Sequence, residues 1–319
     1  MLIVITIIVI LVGMATTLMR PDTEGRRIRE AARMINVYIS TARNRAMETG
    51  RPCGVVLETF NGTDAVMLLD QCDVPPLYCG ETEGSVARVQ YDSATTVRVT
   101  LQTTGGATEP LPECMVRRTD LIQFNGQGPM YSIDNTTPVG SDDTKPNFNF
   151  VLPTTSFTAT VVDPMQAPSL PWTTTGTVVS YRIFRQPIKS AATPLQLPAS
   201  VVVDMGASGI DGGVSFSGNT VEIVFNSNGA VDQVFAGGAH YATDPICLLV
   251  GKRERVGNTA PIPATTANQP QWANWQDMSN LWIVINPQTG LVTTEPVAAQ
   301  TSISDSRSLA KQTQGMGGK

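Results

Sequence analysis

The first nineteen residues, Met1 to Met19, contain no charged side chain. As a helix rising about 1.5 Å per residue, that run would come close to the hydrocarbon thickness of a bilayer. The pattern predicts a transmembrane segment over 1–19. A cleaved secretory signal would need a basic start and a small-residue cleavage site, whereas this run opens at Met1 and leads into Arg20-Pro21-Asp22. A buried strand would usually end after about four to eight residues. In lipid the backbone must satisfy its own hydrogen bonds, which drives even an Ile/Val-rich run helical. Polar and apolar residues then alternate differently. Ile28, Ala31, Ala32, Ile35, Tyr38, Ile39, Ala42 and Ala46 recur at helical period, while Arg26, Arg27, Arg29, Glu30, Arg33, Asn36 and Arg43 lie largely off that stripe. An amphipathic continuation of the helix is therefore expected over 20–50. Ile28, Ala32, Ile35, Ile39, Ala42 and Ala46 should pack on a sheet, and Gly50 should stop the helix.

After residue 50 the period shortens to two. Gly54 to Phe60 and Thr63 to Leu69 flank Asn61-Gly62, the residue pair favoured in a tight type I′ hairpin turn. Ser85 to Tyr91 and Thr95 to Leu101 alternate as half-buried strands. Asp120 to Phe124 ends at Asn125-Gly126, a strand followed by a turn. Pro129 to Pro171 is rich in Thr, Pro, Asn and Asp, and an insertion is expected over about 129–176, with Phe148 to Leu152 and Ser156 to Val162 as a hairpin inside it. Strands return at Gly176 to Phe184, Ser200 to Asp204, Val214 to Phe216, Thr220 to Phe225, Ala230 to Phe235, Ile246 to Val250 and Leu281 to Ile285. The expected layout is a β-rich body over 51–292 and a flexible tail over 293–319. The expected fold class is α+β: a long N-terminal helix, transmembrane in its first half, packed on an antiparallel sheet.

Composition narrows the function. Only 15% of residues are charged, Gly and Pro number 27 and 22, and there is one histidine. That favours a loop-rich β body over a helical or doubly wound enzyme. Arg20 to Gly50 holds seven arginines against four acids, leaving about −8 on the remainder of a chain whose total is −5. An acidic body argues against nucleic acid, and a basic collar favours anionic headgroups or an acidic neighbour. The cysteines at 53, 72, 79, 114 and 247 show no C-x-x-C spacing. Cys72 and Cys79 could close a short loop in an oxidising compartment, or stand as isolated thiols. No metalloprotease, P-loop or nucleophile-elbow motif occurs. No catalytic role, cofactor or metal site is therefore assigned. Asp204, Asp211 and Asp232 lack the spacing of a calcium loop.

Several segments taken in order carry a resemblance: the apolar Leu2 to Met14 run, Ala42-Arg-Asn-Arg-Ala46 leading to Gly50-Arg-Pro52, Leu197-Pro198, Val221 to Phe225 followed by Asn-Ser-Asn-Gly229, and Leu281 to Ile285 followed by Asn-Pro-Gln-Thr-Gly290. Together they resemble the type IV pilin-like family, and within it the H-type minor pseudopilins and FimT/FimU-like minor pilins. The resemblance implies a non-enzymatic subunit of a type II secretion or type IV pilus fibre. Its partners would be other pilin or pseudopilin subunits, an inner-membrane assembly platform and the lipid bilayer. It would sit as a single-pass inner-membrane protein with its globular part periplasmic or in an extracytoplasmic fibre. Leu2, Ile5, Ile8, Val12 and Gly13 would form the assembly helix, Gly13 allowing close approach or simply facing lipid. The family's basic leader, N-methylated first residue and early Glu have no counterpart in the sequence. Aligning the apolar runs places that Glu just before Met1, so the chain is expected to start late relative to the family. A different class of reading is an anchored extracytoplasmic binding or adhesion module using Trp272, Trp275 and the insertion.

Overall fold

A computed structural model describes residues 23–93, 96–109, 116, 120–134, 156–162, 172–211, 213–240, 242–257, 272–298 and 302–315. The chain divides into two compact units, one formed by 1–72 with 189–319 and the other by 73–188.

In the first unit, helix α1 (Thr23–Thr49) ends at Gly50, which takes the left-handed φ of +66° common just past a helix end. Its apolar stripe lies against one face of a twelve-stranded antiparallel sheet. The main path of that sheet runs, in order, β16 (Ala239–His240), β15 (Val231–Ala236), β14 (Val221–Phe225), β1 (Cys53–Thr59), β2 (Ala65–Asp73), β12 (Val201–Ile210), β17 (Ile246–Lys252), β18 (Leu281–Ile285) and β19 (Val292–Pro296), with β10 (Ile188–Lys189) and β11 (Leu195–Gln196) pairing with β2, and β13 (Val214–Ser215) with β12. The central strands are β1 (Cys53–Thr59), β2 (Ala65–Asp73), β12 (Val201–Ile210), β14 (Val221–Phe225), β17 (Ile246–Lys252) and β18 (Leu281–Ile285). Asn61 and Gly62 both have positive φ between β1 and β2, as a type I′ turn requires. In β17, Ile246, Leu248 and Val250 face α1, while Cys247 and Leu249 face a second core beneath the sheet. That explains why the strand reads as an unbroken apolar run: both of its faces are covered.

The covering element on the far face is helix α2 (Ile303–Gly315), with a short 3-10 turn at Asn274–Gln276. Ala310, Trp275, Trp282 and Val284 meet there. Trp282 Nε1 donates to Ser306 Oγ at 3.0 Å, and Arg307 Nε donates to the Ala207 carbonyl at 3.0 Å. The stretch 293–319, expected as a flexible tail, instead carries most of strand β19 (Val292–Pro296) together with α2. Its polar composition hid a helix that uses few apolar residues and anchors through Ser306 and Arg307.

The second unit is a seven-stranded sheet ordered β8-β3-β4-β7-β6-β5-β9. Strands β8 (Thr177–Val179) and β9 (Tyr181–Phe184) are separated by Ser180 alone. β8 pairs with β3 (Ser85–Tyr91), and β9 pairs with β5 (Leu121–Phe124). The two ends of the sheet are therefore one continuous run of chain, which brings the sheet close to a closed barrel and largely removes its exposed edges. Val89, Val99, Leu101, Ile122, Phe124, Ile133, Ala159 and Ile183 fill its interior. The expected insertion, about 129–176, falls inside this unit, which is wider. Strand β7 (Ser156–Val161) pairs with β4 (Thr96–Thr103) and β6 (Tyr131–Asp134). Its expected hairpin partner, Phe148 to Leu152, lies outside the described residues.

Two expectations are corrected here. The fold is not α+β with a long N-terminal helix on one sheet. It is predominantly β-sheet, with one sheet nearly barrel-shaped. Local periodicity reveals strands one at a time, but β8 and β9 close a sheet through residues about a hundred positions from β3, a pairing that no local pattern encodes. The single-pass inner-membrane placement is also overturned: among the described residues no helix is long and apolar enough to cross a membrane. Helix α1 is long enough but carries charged residues on its outer face. The predicted transmembrane segment 1–19 lies outside the described residues.

Candidate functional site

The residues predicted to turn α1 toward a sheet are all enclosed. Ile28, Ala32, Ile35, Ile39, Ala42 and Ala46 each lie at 1% exposure or less. Small Ala side chains at three of the six positions let the helix lie close to the strands. The opposite face presents Arg26, Arg27, Arg29, Glu30 and Arg33 to solvent, together with Val37, which is 59% exposed. Between this face and the sheet runs a groove of about 410 Å³ lined by Arg29, Arg33, Asn36, Val37, Leu281 and Thr294. Its lining combines the apolar Val37 and Leu281 with the cations of Arg29 and Arg33.

Near its C-terminal end α1 is locked to two turns. Arg43 Nε donates to the Gly229 carbonyl at 3.0 Å. Gly229 closes the turn after β14, where the Asn226 side chain accepts from the Asn228 and Ala230 amides at 2.9 and 3.1 Å. Gly290 closes the turn after β18, where the Asn286 side chain accepts from the Gln288 and Thr289 amides at 2.9 and 3.2 Å. The Val231 amide donates to the Pro287 carbonyl at 2.8 Å and joins the two turns. Gly290 has φ +63°, and an added Cβ would overlap the Gly229 carbonyl oxygen and crowd the Arg43 side chain. Three segments far apart in sequence thus meet at one arginine.

At the N-terminal end of α1 a cleft of about 500 Å³ is lined by Glu24, Ile28, Ser200, Val201, Lys252, Arg253 and Glu254. Lys252 Nζ lies 2.7 Å from Glu24 and 3.6 Å from Asp277, and Arg255 Nη1 lies 2.6 Å from Asp277. Burial would raise the Asp277 carboxyl. Hydrogen bonds from the Ser279 side chain and amide, with the charges of Lys252 and Arg255, overcome it and hold the group below the usual carboxylate range. The Lys252-Arg-Glu-Arg255 cluster therefore spends two of its cations on acids of its own unit.

Beneath it lies a polar network that the sequence did not flag. Strand β12 bulges between Asp204 and Gly209. Asp204 is almost wholly buried, accepting from Asn274 Nδ2 at 2.8 Å and from the Gly206 amide at 3.1 Å. Ser208 Oγ donates to the Asp204 carbonyl at 2.6 Å and accepts from the Leu249 amide at 2.9 Å. Asn280 Nδ2 donates to the Asn274 carbonyl at 2.8 Å. Burial pushes the Asp204 carboxyl up to about 6 against these stabilising hydrogen bonds, with Asp64 adding a like charge. The one available sequence signal was an acid in the middle of the Val-rich run Val201 to Met205.

The remaining predicted residues disperse. Leu2, Ile5, Ile8, Val12 and Gly13 lie outside the described residues. The possible Cys72–Cys79 bridge is not formed: Cys72 is a buried thiol on β2, and Cys79 is an exposed thiol in the other unit. The sheet encloses Cys72, so local spacing alone could not decide the pairing. Of the three aspartates considered together, Asp204 is in the network above and Asp211 pairs with Lys311 at 3.3 Å. Among the described residues no group of three or more His, Cys, Asp or Glu is placed to share a metal ion. Trp275 is 1% exposed, which removes it from any open binding surface.

No protein-family profile, curated protein or solved structure matches this chain.

Proposed function

We propose that the chain is a structural subunit of a protein fibre, of the minor pilin or pseudopilin kind, that assembles through its N-terminal helical region. The observation that carries this reading is the junction at Arg43. There the end of α1 and the Asn-Ser-Asn-Gly229 and Asn-Pro-Gln-Thr-Gly290 turns, three of the segments on which the resemblance rests, are tied to one another. The arrangement fixes α1 to the sheet and leaves its basic face outward, as an element that must meet a neighbouring subunit would require. The buried Asp204 network and the ion pairs around Asp277 are read as supports for that rigid body.

The test is to isolate fibres or secretion pseudopili from the host and locate the chain on them with a specific antibody. Labelling along or at the tip of fibres, with fibre number or secretion falling after deletion of the gene, is the expected result. Fibres that lack the chain and persist unchanged after deletion would overturn the reading.

A further inference from the structure

The groove beside α1 and one loop of the second unit have complementary chemistry. The groove is lined by Val37, Leu281 and Thr294 together with Arg29 and Arg33, which stand on successive turns of the helix. Both arginines are exposed, and neither has a salt-bridge partner among the described residues. In the second unit, Leu77 is 46% exposed. It follows Pro75-Pro76, whose rings restrict the backbone. It precedes Tyr78, whose amide and carbonyl are both bonded to Ile183, at 3.0 and 2.8 Å. Leu77 is therefore held outward on a fixed backbone and would lose little entropy on docking. Glu81 and Glu83, close behind it, are exposed and have no cation partner among the described residues.

We infer that the groove of one copy receives the Leu77–Glu83 loop of a second copy. Leu77 would insert beside Val37 and Leu281, with Glu81 and Glu83 against Arg29 and Arg33. The two surfaces are different patches of the same chain, so the contact is heterologous. A copy engaged through its groove still has its loop, so the contact can extend to further copies. This inference rests on the fibre reading for its biological setting, but its geometry is independent of the N-terminal segment. Exposed charge pairs contribute little each, so the apolar insertion supplies the affinity and the charges supply register and salt sensitivity.

Sedimentation velocity of the full chain over a concentration series tests it. The weight-average sedimentation coefficient should rise with concentration, and less so in about 0.5 M than in about 0.05 M salt. Arg29→Glu with Arg33→Glu in one variant, and Glu81→Arg with Glu83→Arg in another, should each weaken self-association at least roughly tenfold. These four side chains are exposed, and circular dichroism would establish that both variants fold. In an equimolar mixture of the two variants the intact groove meets the intact loop and the reversed groove meets the reversed loop, so association should return. A chain carrying all four reversals should recover the concentration dependence. Association of both variants at wild-type strength, a mixture that behaves like its separate components, or a wild-type chain that stays monomeric would each overturn the inference. Wild-type incorporation into host fibres by chains with the double reversals would overturn this contact while leaving the fibre reading in place. Absence of the wild-type chain from fibres, with the self-association intact, would do the reverse.

Discussion

Gly290 occupies a position where the peptide must pass directly over the Gly229 carbonyl at a φ of +63°. Any side chain there meets both backbone strain and a steric block, so Gly290→Ala should cost at least about 2 kcal/mol. Gly106→Ala, also at positive φ but with open space around it, should cost only about 1 kcal/mol. Urea unfolding of the two variants checks the difference, and equal losses would mean that the turn can move away from Arg43. Asp204 gives a second prediction. Burial raises its carboxyl to about 6 in the folded chain, above the usual carboxylate range. The protonated form therefore adds stability that is fully present below about pH 4 and lost as pH rises through about 6. A shift of that size corresponds to roughly 2 to 3 kcal/mol, as an order of magnitude. Asp204→Asn cannot ionise, so its unfolding free energy should vary less between pH 4 and 7 than that of the natural chain. Identical pH profiles for the two would show that Asp204 titrates normally. In sequence Asp204 could be weighed only beside Asp211 and Asp232, because its partner Asn274 is seventy positions away.

At the scale of elements, α1 was the most legible piece. Its stripe is purely local in origin, since the 3.6-residue period places Ile28, Ile35, Ile39 and Ala46 on one side whatever lies beneath. Ile35 is fully enclosed, so Ile35→Asp should lose about 3 to 5 kcal/mol through lost apolar contact and an unpaired buried carboxylate. Arg29→Ala on the outer face should lose well under about 1 kcal/mol. Thermal melts that ranked the two equally would reject the facing. The hairpin at Asn61-Gly62 and the strand Ser85–Tyr91 were legible for the same reason: turn chemistry and period two are written locally. Helix α2 was not, because it buries little apolar surface and is held by Ser306 against Trp282 and Arg307 against a bulge carbonyl. Leaving the Trp282 indole N–H unpaired by Ser306→Ala should cost about 1 to 2 kcal/mol, read by the same melts.

For the whole molecule, the sequence showed strands without showing that they form two sheets. Residues 73–188 leave the first unit at Cys72 and rejoin it at Lys189 as one continuous stretch. With its own apolar interior and a sheet whose ends meet, that stretch should fold alone. The fragment Asp73–Ile188 should show β-type circular dichroism and a cooperative melt. The central claim, however, is that this chain is a fibre subunit, and contact with neighbouring subunits tests it most directly. Cysteine placed singly at Arg26, Arg33 and Val37 on the exposed face of α1, in host cells with the assembly machinery active, should crosslink to neighbouring fibre subunits. Crosslinking that stays at background at all three positions while fibres form normally would contradict the account.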